Sequence, residues 1–281
     1  MNNTDIRSLY GLKHNPFLPD VPAEALFTIP GTEQFIMRVQ AMAAQGGFAL
    51  ITGDPGMGKS KTLQSIAHRL EQIPDLTVGV MQRPQSALSD FYRELGELFN
   101  VGLSPANRYG GFKALRTRWK NHCQSTLLRP VLLIDEAQQV STECLTELRL
   151  LQSHHFDSQN LLFTILCGDS RLPERFRTTD LLPLGSRIGA RVVLSPLSPE
   201  QLQDYLDFAL EQAGHPQLMS SELTRTLAAH AANNLRVLNQ MAAEMLNAAA
   251  ERNLPRIDES LFFELFSPTG SKQGRNKHPK K

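Results

Sequence analysis

The chain has 281 residues, 41% apolar and 20% charged, with a formal net charge of +1. That composition belongs to an ordinary globular protein with a sizeable core and excludes a disordered or fibrous chain. No apolar run reaches the roughly 20 residues a bilayer demands and the amino terminus has no apolar segment followed by a small-residue cleavage site, so a cytoplasmic protein with no membrane partner is expected.

In chain order, residues 1–30 read as a leading segment with turn signals at Asn15-Pro16 and Leu18-Pro19-Asp20. From 31 to 195 short apolar runs, the predicted strands Phe48–Thr52, Thr77–Met81, Val131–Ile134, Leu161–Cys167 and Arg191–Leu194, alternate with segments of helical period such as Leu88, Phe91, Leu95 and Leu98. The alternation predicts a parallel sheet covered by helices on both faces. Past the turn Ser195-Pro196-Leu197-Ser198-Pro199 only helical period remains, with a start at Ser198-Pro199 and further helices near 220–232, 235–252 and 258–266. Residues 196–266 are therefore predicted to form a small helical domain. The tail, 267–281, is polar and basic, and its last eleven residues hold five Lys or Arg and no acid; it is expected to be disordered alone. Cys123, Cys144 and Cys167 lack any Cys-x-x-Cys pairing, and free buried thiols are expected.

Chemistry concentrates at two strand ends. Gly53-Asp54-Pro55-Gly56-Met57-Gly58-Lys59-Ser60 fits the phosphate-loop pattern G-x-x-x-x-G-K-[ST], follows a predicted strand and opens a helix that continues with Lys61. Its glycines let backbone N–H groups face phosphate oxygens, and the helix amino terminus adds donors and partial positive charge. Lys59 is expected on the β- and γ-phosphates of ATP, and the Ser60 hydroxyl on Mg²⁺. Val131–Ile134 then ends in Asp135 and Glu136. Asp135 is expected in the Mg²⁺ shell, and Glu136 is suited to orient and deprotonate the attacking water, which argues for hydrolysis. After Leu161–Cys167, Asp169, with Ser170 second, is a candidate for positioning that water; an ordinary strand-end turn is the other reading. Arg187, just before the last strand, is a candidate for stabilising developing charge in a neighbour's site, the alternative being a surface ion pair.

These residues, with Tyr10-Gly11-Leu12, Asn15-Pro16-Phe17, Leu133-Ile134-Asp135-Glu136-Ala137-Gln138, Pro196-Leu197-Ser198-Pro199-Glu200 and Leu235-Arg236-Val237-Leu238-Asn239, carry a resemblance over about residues 8–265. The sequence resembles the AAA+ ATPases of the general secretion pathway protein A (ExeA-like) type and the related TniB/TnsC transposition ATPases. The resemblance implies a P-loop AAA+ core over 31–195 and a helical lid over 196–266. It further implies that Asp169 is the sensor-1 position, Arg187 the arginine finger, Arg236 the sensor-2 arginine, and Phe17 part of the segment that closes over the adenine. Two departures stand out: the sensor-1 position is acidic, and Asn233-Asn234 replaces a glycine-containing turn.

Relatives of the secretion type usually continue into a membrane span, whereas this sequence runs into a basic tail; a free regulator is expected. Lys113, Arg116 and Lys120 share one predicted helical face. That ridge and Lys272, Arg275 and Lys277 of the tail are candidates for duplex DNA contacts, a solvated helix face being the alternative for the ridge. The first expectation is an ATP-dependent ring or filament that assembles on DNA and recruits or activates a transposase or integrase. The alternatives are an ATPase subunit of a secretion or envelope assembly system and an ATP-binding conformational switch.

Overall fold

The computed structural model describes residues 3–103 and 107–266. Lys272, Arg275 and Lys277 lie outside the described residues. The chain forms two compact units: one is Pro22–Leu197 with Asn234–Arg236, and the other gathers the described residues up to Val21, Ser198–Asn233 and those from Val237.

The elements run α1 (Asn3–Tyr10), α2 (Glu33–Met42), β1 (Gly47–Gly53), α3 (Lys59–Glu71), β2 (Val78–Met81), α4 (Leu88–Leu98), α5 (Arg108–Thr126) and β3 (Val131–Ile134). They continue with α6 (Thr142–Gln152), β4 (Ser153–His154), β5 (Gln159–Asn160), β6 (Phe163–Gly168), α7 (Leu172–Arg175), α8 (Leu182–Gly185) and β7 (Ile188–Leu194). Four helices follow: α9 (Pro199–Gln212), α10 (Ser221–His230), α11 (Leu235–Glu251) and α12 (Glu259–Phe266).

In the larger unit five strands form one parallel sheet in the order β2-β3-β6-β1-β7. Every residue of β1, β3 and β6 is buried, which is why their sequences read as unbroken apolar runs without alternation. Phe91 and Leu95 of α4, Leu115 and Trp119 of α5 and Leu145 and Leu148 of α6 join Leu132 and Ile134 of β3 in one buried cluster. Ser141 caps α6 by accepting from Cys144 N at 3.1 Å. Two strands differ from the sequence reading by more than one residue at an end. β6 starts at Phe163, because Leu161 N is taken by Gln152 O at 2.9 Å, and β7 starts earlier, at Ile188, which pairs with Phe48. Ser153–His154 and Gln159–Asn160 add a short antiparallel hairpin that no periodicity announces.

The smaller unit is helical. Ser198 and Gln201 form a reciprocal capping box at α9, and Ser220 caps α10. Where a separate leading segment of 1–30 was expected, residues up to Val21 group with these helices: Lys13 N donates to Ala213 O at 2.9 Å and Tyr10 OH to Leu254 O at 3.0 Å. The three cysteines are free thiols, Cys144 and Cys167 buried and Cys123 partly so. Among the described residues no helix is long and apolar enough to cross a membrane.

Candidate functional site

The strand order sets the site. β1, which leads into the phosphate loop, and β3, which ends at the acid pair, both pair with β6, so β6 lies between them. Adjacent strands are about 4.8 Å apart, which places the ends of β1 and β3 on the order of 10 Å from each other. That gap suits a phosphate and its metal.

Gly56 and Gly58 both take φ +86°, a left-handed conformation that a side chain resists. A Cβ on Gly56 would also meet Asn234 Oδ1 at 2.2 Å. Gly58 is the residue before α3, and Thr62 N donates back to its carbonyl at 2.8 Å. An α-helix leaves the N–H groups of its first turn without helical partners, so this end favours an anion. Lys59 is buried, and its Nζ donates to Asp54 O at 3.0 Å, which folds the ammonium over the loop. Ser60 is exposed at the start of α3.

Asp135 and Glu136 are half-buried at the end of β3. Glu136 adopts φ 50° and ψ 38°, an uncommon conformation for a residue with a long side chain, and its amide donates to Asp135 Oδ1 at 2.9 Å. Its carboxylate Oε2 accepts from Gln138 Nε2 at 2.5 Å, and Gln138 Oε1 accepts from Asp169 N at 3.2 Å. Cys167, buried in β6, reports the convergence. Its thiol is pushed far up, first by burial and then by Asp135, with Lys59 opposing and Glu136 reinforcing.

The remaining candidates are placed as follows. Asp169 follows β6, but its carboxylate belongs to Arg171: Nε donates to Oδ2 at 2.8 Å, and the Arg171 amide to Oδ1 at 3.0 Å. Arg171 thereby holds the Asp169 carboxyl below its usual range. Ser170 is exposed. Arg187 precedes β7 at the amino-terminal end of the sheet and forms an ion pair with Asp157 and a hydrogen bond to Pro183 O. Arg236 is exposed near the start of α11, and its amide donates to Asn234 Oδ1 at 2.9 Å. Asn234 itself, which sequence reasoning noted only as a departure, donates Nδ2 to Pro55 O of the phosphate loop at 3.0 Å. The left-handed turn ahead of it is made by Ala232 and Asn233. Phe17 is buried and falls in the smaller unit, with its amide donated to Asn15 Oδ1 at 3.1 Å.

The expected Lys113/Arg116/Lys120 ridge needs correction. Lys113 and Lys120 are exposed on α5, but Arg116 turns inward. Its Nη1 donates to Leu150 O at 2.9 Å and Leu151 O at 3.0 Å and also to Ser153 O, and its Nη2 meets His154 Nδ1 at 3.2 Å. Arg116 thus satisfies carbonyls at the end of α6, where a helix lacks its own donors. Helical spacing had shown which face it shares, not what packs there.

A phosphate loop on β1, an acid pair on β3 and a strand interposed between them define a P-loop fold of the AAA+ class, an architecture built to bind nucleotide. In agreement, the AAA domain family profile matches residues 42–176. The chain is similar to general secretion pathway protein A of Aeromonas hydrophila, to which it is 30% identical over 217 residues, 75% of its own length, and of which it spans 39%. Among solved structures its fold resembles the Aeropyrum pernix ORC2 protein in ADPNP–ADP complexes, with a TM-score of 0.72 at 13% identity over 92% of this chain and 72% of that one. It also resembles the Aeropyrum pernix ORC1 protein in complex with DNA, with a TM-score of 0.65 at 19% identity over 89% and 67% of the two chains.

Proposed function

We propose that the chain hydrolyses magnesium-bound ATP in the cytoplasm and works on duplex DNA as an assembling regulator that recruits or activates a transposase or integrase. The observation that carries the hydrolytic part is the placing of Glu136, itself in a left-handed conformation and held by Gln138 beside the end of β6. Ser60 and Asp135 offer magnesium a hydroxyl and a carboxylate. Among the described residues no cluster of three or more His, Cys, Asp or Glu is arranged to hold a metal, which suits an ion completed by phosphate oxygens and water. Bound there, magnesium would neutralise charge on the β- and γ-phosphates. Lys59 binds those phosphates from the loop. Glu136 orients a water and takes its proton as the water oxygen bonds to the terminal phosphorus and the bond to the departing ADP oxygen breaks.

The DNA part is supported by exposed Lys113 and Lys120 on α5 and by five cations in the last eleven residues of the sequence. The fold likeness to an ORC1 protein solved with DNA points the same way. The identity to general secretion pathway protein A favours a second reading, an ATPase subunit of a secretion or envelope assembly system acting on proteins. ATP turnover measured with and without duplex DNA separates the two. The DNA reading expects a several-fold rise at low salt that fades as phosphate contacts are screened. Turnover indifferent to DNA, with no binding at low salt, overturns it and leaves the secretion reading.

A further inference from the structure

We infer that Gln138 is a positioning residue for hydrolysis, a strut that fixes the Glu136 carboxylate against the end of β6; the inference rests on Glu136 being the base. The carboxamide bridges two neighbouring strand ends: Nε2 donates to Glu136 Oε2 at 2.5 Å, and Oε1 accepts from Asp169 N at 3.2 Å. Its orientation is dictated by chemistry. A backbone N–H demands the oxygen and a carboxylate demands the NH₂, so the flipped amide would face both partners with the wrong group. The residue is also held at its main chain, where Gln138 O accepts from Arg175 Nη1 at 2.9 Å.

Space for the amide comes from Gly168, where a Cβ would lie 2.5 Å from Gln138 Oε1 and 2.8 Å from Leu172 Cδ2. A glutamate side chain has several rotatable bonds, and Glu136 starts from a left-handed backbone that offers its carboxylate little regular support. Holding one carboxylate oxygen leaves the other to face the attacking water. Gln138 touches neither nucleotide nor water in this scheme and acts through Glu136.

The test is steady-state ATP turnover of Gln138→Ala and of the near-isosteric Gln138→Met, alone and combined with Glu136→Gln, with thermal melts to verify folding. We expect kcat to fall about tenfold while KM for ATP changes less than about twofold, since only the water side of the site is disturbed. In the Glu136→Gln background the same substitutions should change the residual rate by less than about twofold, as expected for residues that act as a unit. Gly168→Ala should reproduce the kcat loss by displacing the amide. Unchanged or raised kcat, a parallel rise in KM that accounts for the loss, or an equal further loss without Glu136 overturns the inference. Should Glu136→Gln itself retain full turnover, the general-base reading falls, and the Gln138 effect in the wild-type background is still read separately.

Discussion

His122 is a buried imidazole on α5 whose Nε2 meets no partner among the described residues. Burial pushes its pKa down, and Arg118 adds to the effect while Asp75 opposes it. The unfolded chain takes up a proton near the ordinary histidine pKa of about 6.5, whereas the folded chain does so only at lower pH. The neutral residue therefore contributes stability that is fully present above that value and is lost as pH falls toward the folded pKa, at most about 1.4 kcal/mol per pH unit for one proton. Urea unfolding at pH 7.5 and 5.5 should show the wild-type midpoint dropping more than that of His122→Leu; equal drops would mean that His122 binds its proton equally well in the folded and unfolded chain. Residues whose chemistry is written into a short pattern were legible in the sequence. Lys59 and Ser60 open α3 and Asp135 and Glu136 follow β3, the placement that the pattern predicts. Gln138 was not, because its bond to Glu136 depends on a left-handed turn that no residue type there advertises. Asp169 and Arg116 were seen as charges, but Arg171 and the α6 carbonyls take those charges.

At the scale of elements, α9 to α12 of the smaller unit and all five sheet strands were visible as apolar runs and periods, since burial on both faces or on one face leaves that record, whereas α1 lay inside what read as a leading segment with turn signals. The β4–β5 hairpin left none. Its strands are two residues each, too short for a period, and its tip places His155, Phe156 and Asp157 in consecutive left-handed conformations at φ 47°, 55° and 66°. A sequence normally signals such a tip with glycine or asparagine. The ring of Phe156 is fully exposed, so it offsets none of the strain by burial within the chain. A non-glycine residue in this conformation costs about 1–2 kcal/mol, partly offset in comparison with glycine by the latter's larger unfolded entropy of roughly 0.5–1 kcal/mol. Phe156→Gly should accordingly stabilise the protein by about 0.5–1 kcal/mol, or roughly 1–4 °C in a thermal melt. A lowered melting temperature would show that the ring stabilises the hairpin after all.

For the whole molecule, the sheet register decides how Arg187 can act. Ile188 pairs with Phe48 and Leu194 with Gly53, so Arg187 lies one full strand away from the phosphate loop of its own chain. At about 3.3 Å per residue that is roughly 20 Å, well beyond the reach of one side chain. Its guanidinium is held meanwhile by Asp157 on the hairpin. If Arg187 serves catalysis it does so in a neighbour, by a head-to-tail contact that closes into a ring or runs on as a filament. Mixing Arg187→Ala with Lys59→Ala subunits checks this, because one keeps an intact phosphate loop and the other an intact arginine. Mixtures should recover turnover that neither has alone, and absence of recovery would confine Arg187 to its surface pair. The same register has a consequence for how the protein is made. β1 is complete before residue 60, yet both strands that flank it, β6 and β7, come more than a hundred residues later. At about 5–20 residues per second of synthesis, the apolar run Phe48–Ile51 waits on the order of ten seconds with neither edge paired. The phosphate loop is thus written early and assembled late, and during that interval the nascent chain offers chaperones, or another unfinished chain, the strand on which nucleotide binding depends.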